Sequence, residues 1–378
     1  MKIEFRDLKS QYKKYKSLID DSVTSVMTES NFILGEPVKL LEQELAEYVG
    51  VKHVISCANG TDAMTLVLMA WNIKEGDAVF VPNYTFFATG EVVSYQGATP
   101  VFVDVDQSTF NMDASNLRIQ ILHTINEGIL KPKAIIPVDL FGLPSNYYEI
   151  KAIAKEFGLL VLEDAAQGFG GEFCEKRACS FGDAATTSFY PAKPLGCYGD
   201  GGAIFTNSDE LAETLRSLRS HGVGTHRYDN VRIGLNSRLD TIQAAVLRIK
   251  LKALKDHELE DVNRVARQYD QLLSGIVITP KIPDGFLSSY AQYTIQTKTR
   301  TERDNLIEYL KTQNVPTMLY YPRTLHQQQA FTSIQVDEDL LMNSIHLTNV
   351  SVSIPIHPYL NDKEILYVTD KIKEFYTK

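Results

Sequence analysis

Cysteine is scarce in this 378-residue chain, and Cys57, Cys174, Cys179 and Cys197 are too irregularly spaced for a disulfide framework or a zinc knuckle. They read as buried thiols. No stretch approaches the roughly 18 apolar residues that a membrane helix needs, so no membrane span is expected. The histidines include no His-x-x-x-His pair, and His357, near two prolines, reads as part of a turn. No metal site is expected. No Gly-x-Gly-x-x-Gly follows the first predicted strand and no Walker motif occurs, which leaves dinucleotide-binding and ATPase readings without support. Basic residues are also in deficit, 38 Lys and Arg against 47 Asp and Glu, and the net charge of -9 argues against nonspecific nucleic-acid binding. The opening Met1-Lys-Ile-Glu-Phe-Arg-Asp-Leu8 alternates charge with apolarity and lacks the apolar core of a signal peptide, so a cytoplasmic location is expected.

What is present is a globular composition, 44% hydrophobic and 10% aromatic, with neither internal repeats nor a low-complexity linker. The length predicts a large domain over 1–250 and a smaller C-terminal α+β domain over 251–378. Short apolar runs at 53–56, 78–81, 100–105, 134–138, 159–162, 185–189 and 202–205 have the pattern of strands covered on both faces, and helical patterns separate several of them. An α/β protein follows, with a mostly parallel mixed sheet flanked by helices. Val38, Leu41, Leu45 and Tyr48 predict a helix closed by Gly50, and Leu211, Leu215 and Leu218 another after Ser208. A long helical pattern runs from Leu239 past Leu272. Strands at 290–297, 316–321 and 352–356 and helices at 302–313 and 362–376 complete the second domain.

The chemistry gathers at strand ends. Lys193, in Ser188-Phe-Tyr-Pro-Ala-Lys193-Pro-Leu-Gly, follows Gly158-Leu-Leu-Val-Leu-Glu-Asp164-Ala-Ala-Gln167. Taken singly, Lys193 could be a surface lysine and Asp164 a helix cap. Together they fit a pyridoxal phosphate site: a desolvated Schiff-base lysine with its pKa lowered toward ~7 to 8, and an aspartate that keeps the pyridine nitrogen protonated. Asn59-Gly60-Thr61-Asp62 opens an apolar helix whose N-terminus suits a phosphate, although simple capping explains the same residues. Arg219, His221, His226, Arg227, Arg232 and Arg238 form the one basic cluster, readable as an anion cradle or as a solvated loop.

With Glu163-Asp164-Ala165-Ala166-Gln167, the lysine segment, Gly201-Gly-Ala-Ile-Phe-Thr206-Asn207 and Asn236-Ser-Arg238-Leu-Asp-Thr-Ile-Gln-Ala-Ala245 in view, the chain resembles the DegT-type sugar-nucleotide aminotransferases of fold type I over nearly its whole length. The resemblance implies a homodimer with shared active sites, pyridoxal 5'-phosphate, a nucleotide-linked keto-sugar substrate and glutamate as donor. By position, Lys193 would hold the cofactor, Asp164 its ring nitrogen and Gln167 its ring hydroxyl. Phe86 would stack on the ring, Gly60, Thr61 and Ser188 would hold the phosphate, and Asn236 would reach that phosphate from the partner subunit. The dehydratase branch carries histidine where this chain has Lys193, so aminotransfer is favoured.

Among family members, the segments 192–202, 290–293 and 357–360 most resemble enzymes that aminate C3 of UDP-2-acetamido-2-deoxy-3-oxo-glucuronic acid in surface polysaccharide, including lipopolysaccharide, biosynthesis. Arg238 is the residue expected on the uronic carboxylate or a phosphate. Tyr320 and Tyr321 are expected beside the sugar, in a Tyr320-Tyr321-Pro322 that departs from the His-Tyr-Pro of those enzymes. A dTDP-linked 3-oxo-6-deoxyhexose is the alternative substrate. A non-catalytic amino-sugar sensor is the alternative function.

Overall fold

A computed structural model describes residues 2–226 and 228–377; Arg227 of the basic cluster lies outside them. The chain opens with helices α1 (Leu8–Glu29) and α2 (Glu36–Val49), the latter closed by Gly50 in the left-handed region. Alternating elements follow: β1 (His53–Cys57), α3 (Gly60–Ala70), β2 (Asp77–Pro82), α4 (Ala88–Tyr95), β3 (Thr99–Val103), α5 (Ala114–Glu127), β4 (Lys131–Ile135), α6 (Tyr147–Phe157), β5 (Leu160–Asp164), β6 (Ala184–Ser188), β7 (Gly202–Thr206) and α7 (Asp209–Leu218). The seven strands form one sheet in the order β1-β7-β6-β5-β4-β2-β3. β7 alone runs antiparallel to its two neighbours, so six strands point their carboxyl ends to one edge. This is the mostly parallel α/β sheet that continuous apolar runs predict, since strands covered on both faces need no polar side.

Two apolar layers enclose the sheet. Leu66, Val67, Val92 and Leu215 cover one face together with Val79 and Ile204. Ile121, Tyr147 and Ile150 pack with Phe80 and Ile135, and Leu41, Leu45 and Leu247 with Phe205. From Thr241 the chain is helical through α8 (Thr241–Ala253), a wide turn at Leu254–Glu258, and α9 (Leu259–Leu273).

A second core lies beyond that turn. Val265, Tyr269 and Leu273 of α9 pack on Tyr293 and Ile295 of β8 (Tyr293–Gln296), Leu306 of α10 (Arg300–Thr312), Val352 of β9 (Ser351–Ile354) and Ile365 of the last helix (Asp362–Thr377). Ile3, from the start of the chain, joins this core. The expected strand at 316–321 is absent. Only Met318 bridges β9, opposite Ser353, because the chain then turns toward the large sheet and Leu325, Phe331 and Leu341 pack into the core there. α11 (Met342–Val350) follows. Cys174 is exposed, against expectation, because it sits in a tight two-strand turn, while Cys57, Cys179 and Cys197 are buried. No described helix is long and apolar enough to cross a membrane.

Candidate active site

The carboxyl edge of the sheet collects the residues of interest because each parallel strand hands its chain to a loop there. At the end of β1 the Asn59 side chain accepts from the Asp62 N–H at 2.7 Å, and the Asn59 carbonyl accepts the first helical bond, from Ala63 N–H at 3.1 Å. The amides of Gly60 and Thr61 precede that bond and are left to an anion on the helix axis. Glycine is required at two places around this turn. A Cβ on Gly60 would stand 2.8 Å from the Ser188 Cβ at the end of β6, and one on Gly202 would stand 2.5 Å from the Asn59 carbonyl. The ends of β1, β6 and β7 thus close into one cradle containing the Ser188 hydroxyl.

Asp164 is the last residue of β5 and is 4% exposed. Its Oδ2 accepts from the Thr89 hydroxyl at 3.0 Å and its Oδ1 from the Ala166 N–H at 3.1 Å. Burial pushes its carboxyl upward, opposed by those two bonds and by the nearby charge of Lys193. Lys193 is half-buried as a residue, but its amine is enclosed, and burial presses its pKa down to about 8, against Asp164 and assisted by Arg6. Burial therefore opposes the charged form of each group while the charge of each favours that of the other: a carboxylate short of a cation and an amine able to exist as free base.

Gln167, also buried, accepts the Phe141 N–H on Oε1 at 2.9 Å and donates from Nε2 to the Tyr321 hydroxyl at 3.1 Å. The Tyr84 hydroxyl fixes the neighbouring tyrosines, donating to the Tyr320 carbonyl at 2.6 Å and accepting the Tyr321 N–H at 3.1 Å. Phe86 is 55% exposed, its ring centroid 6.2 Å from that of Tyr321. The structure thus gathers Lys193, Asp164, Gln167, Phe86, Tyr320 and Tyr321 around the carboxyl edge, with Gly60, Thr61 and Ser188 at adjacent strand ends. Asn236 and Arg238 bond to each other instead. Their segment lies against the Gly60 loop, where Ala58 N–H donates to Ser237 Oγ at 3.1 Å.

Arg219 does not belong to the expected cradle from Arg219 to Arg238. Arg219 is buried, pairs with Glu42 at 2.7 Å and donates to the Ser56 carbonyl at 2.8 Å, which ties α2 to β1. The stretch beyond it folds back on itself through bridges between Ser220 and Asn236 and between Val223 and Asn230. Three contributors went unpredicted: Thr89, Tyr84 and Arg6. The first two stand in Tyr84-Thr-Phe-Phe-Ala-Thr89, where a hydroxyl at a helix start offered a signal. Arg6 offered none.

A depressed amine near a buried carboxylate, with a helix N-terminus close by, is an arrangement suited to aminotransfer on an α/β sheet. The chain belongs to the DegT/DnrJ/EryC1/StrS aminotransferase family, whose profile matches residues 13–373. It is 44% identical to the UDP-2-acetamido-2-deoxy-3-oxo-D-glucuronate aminotransferase of Pseudomonas aeruginosa, over 96% of this chain and 97% of that protein. It is 42% identical to a pleiotropic regulatory protein of Geobacillus stearothermophilus, over 100% and 99% of the two chains. Among solved structures, a family aminotransferase from Brucella abortus superposes with a TM-score of 0.97 at 48% identity, each chain covered over 100%.

Proposed function

We propose that this protein is a pyridoxal phosphate-dependent aminotransferase that converts UDP-2-acetamido-2-deoxy-3-oxo-glucuronic acid to its 3-amino sugar, with glutamate as donor, in cytoplasmic steps of lipopolysaccharide or related polysaccharide synthesis. The observation that carries this reading is the pairing of Lys193 with Asp164. Bound there, the cofactor supplies an electrophilic aldehyde and an electron-withdrawing ring. Asp164, held short of a cation, keeps the ring nitrogen protonated, and Thr89 and the Ala166 amide fix the orientation of its carboxylate. Gly60, Thr61 and Ser188 would bind the phosphate, joined by Asn236 of the partner subunit. Phe86 offers its exposed ring for stacking, and Gln167 lies beside the ring hydroxyl.

Lys193, its amine lowered to about 8, would hold the cofactor and would be placed to move a proton at the substrate's reacting carbon. Arg238 faces the uronic carboxylate or the diphosphate, while Tyr320 and Tyr321 wall the sugar pocket. Absorption spectra test the reading. The purified protein should be yellow and glutamate should abolish its visible band. The band should return when the UDP-linked 3-oxo-uronic acid is added, and more slowly with a dTDP-linked 3-oxo-6-deoxyhexose. Lys193→Ala should show neither band nor turnover. A visible band that glutamate leaves untouched would favour an amino-sugar sensor instead.

A further inference from the structure

Arg6 lies in the bend before α1, and its guanidinium joins two distant parts of the chain. Nε donates to the Ala192 carbonyl at 3.0 Å, one residue before Lys193, and Nη1 donates to the Ile356 carbonyl at 3.3 Å, two residues beyond β9. Both partners are neutral, so these bonds fix the cation without cancelling its charge. Arg6 and Lys193 line the same small cavity, of about 40 Å³. The nearest acid in the cavity lining makes no bond to Arg6: Glu258 takes two 3.0 Å bonds from Gln11 Nε2 and one from the Tyr359 hydroxyl, so its charge favours the Arg6 cation only from a distance.

The other charged groups around the cavity are similarly engaged. Asp7 caps α1 through the Ser10 N–H at 2.9 Å, and the Lys250 amine sits over the Tyr198 ring at 5.0 Å. Burial lowers His357 to about 4, which leaves it neutral near pH 7. Burial also brings Arg6 down to about 10, still cationic at neutral pH. Of the groups facing the Lys193 amine, Asp164 favours its protonation and Arg6 opposes it.

We propose that Arg6 is a positioning residue for the lysine. Clamped between the Lys193 loop and the C-terminal domain, its charge keeps the amine available as a nucleophile and couples cofactor attachment to docking of the N-terminal segment. A fixed cation raises the cost of placing a second positive charge nearby, and the cost is greatest where water is excluded. This rests on the function proposed above, in that Lys193 is taken as the attachment point.

The test follows covalent capture of pyridoxal phosphate by the cofactor-free protein, read through the visible band as a function of pH. If the wild type captures no cofactor, the proposed function fails and the Arg6 question does not arise. If it does, Arg6→Gln should shift the pH midpoint of capture upward by about half to one unit, a three- to tenfold loss of free amine below the midpoint. Arg6→Lys should restore most of that shift. An unmoved midpoint in a folded Arg6→Gln protein overturns the proposal. So does an equal shift in both variants, since charge would then not be the agent. Should Arg6→Gln fail to fold, Arg6→Met serves in its place: it too should raise the midpoint above that of Arg6→Lys, and equal midpoints in the two variants would overturn the inference.

Discussion

At the residue scale the proposed site depends on two groups whose charged forms burial disfavours. Asp164 is buried with a hydroxyl and an amide as its fixed partners, so its charge is stabilised by direction more than by solvent. Replacing it with Asn keeps the size and one acceptor but removes the charge. Asp164→Asn should fold with an unchanged melting temperature within about 2 °C and lose at least ~100-fold in turnover, because the electrostatic interaction is spent on the reacting centre. Calorimetry and a coupled glutamate assay check this together, and near-normal turnover would reduce Asp164 to a strand-end cap. These two residues were legible from sequence because chemistry and position coincide: a lysine and an aspartate each follow an apolar run, and strand ends are where α/β sheets place ligands. Arg6 was not legible. Its partners, Ala192 and Ile356, lie 186 and 350 residues away, and no local pattern encodes contacts of that range.

At the scale of elements, β5 carries a second device directly beneath the site. Glu163, one residue before Asp164, receives the Phe181 N–H at 2.8 Å and a shorter bond from the Cys179 N–H, so both of its oxygens accept from amides. Beside it Asp139, fully buried, accepts the Ser145 N–H at 2.9 Å and the Tyr147 hydroxyl at 2.7 Å on Oδ1, while its Oδ2 has no hydrogen-bond partner. One proton shared between the two carboxyls satisfies that oxygen. Burial raises Asp139 well above the usual carboxylate range and Glu163 from 4.5 to about 7. The folded chain then binds more protons than the unfolded one across that window, and stability falls as pH rises from about 4.5 to about 7. Asp139→Asn keeps the Oδ1 acceptor, offers Nδ2 as a permanent donor to Glu163 and removes one ionisable group. Relative to wild type it should gain on the order of 1–2 kcal/mol between about pH 5 and about pH 8. Thermal melts at both pH values read this, and parallel wild-type and variant curves would mean that no proton is shared.

The elements also show where sequence patterns stop. Most strand positions followed from apolar runs, but the reversal of β7 did not, because a strand buried on both faces has the same composition in either direction. α1 went unread although Ile19 and Val26 lie on its buried side, since its 22 residues are mostly polar and pack mainly on another helix, α8. The 316–321 segment has a strand's composition and lacks a strand, because the partner beside it offers only the single bridge at Ser353.

At the scale of the whole molecule, the apolar cluster built on α9, β8 and β9 supports a division into 1–250 and 251–378, which we propose as the working boundary. The helix that runs unbroken through 241–273 links the two parts, and the Arg6 clamp crosses between them. The assembly beyond one chain bears on Asn236, which is exposed and bonded to Arg238, in a segment tied by Ser237 to the Gly60 loop of its own subunit. That placement suits either a phosphate contact across a two-fold axis or one within the subunit, and complementation separates the two. Lys193→Ala lacks the nucleophile, and Asn236→Asp sets a carboxylate against the phosphate, so each should be inactive alone. If the chain assembles as a dimer, half of the dimers become hybrids when the two variants are mixed in equal amounts under conditions of subunit exchange. If Asn236 serves the partner's site, each hybrid holds one doubly damaged site and one intact site, and activity should recover to about a quarter of wild type in a two-fold assembly. If Asn236 serves its own subunit, every site in a hybrid carries one lesion and activity stays at background even when native mass spectrometry shows exchange to be complete.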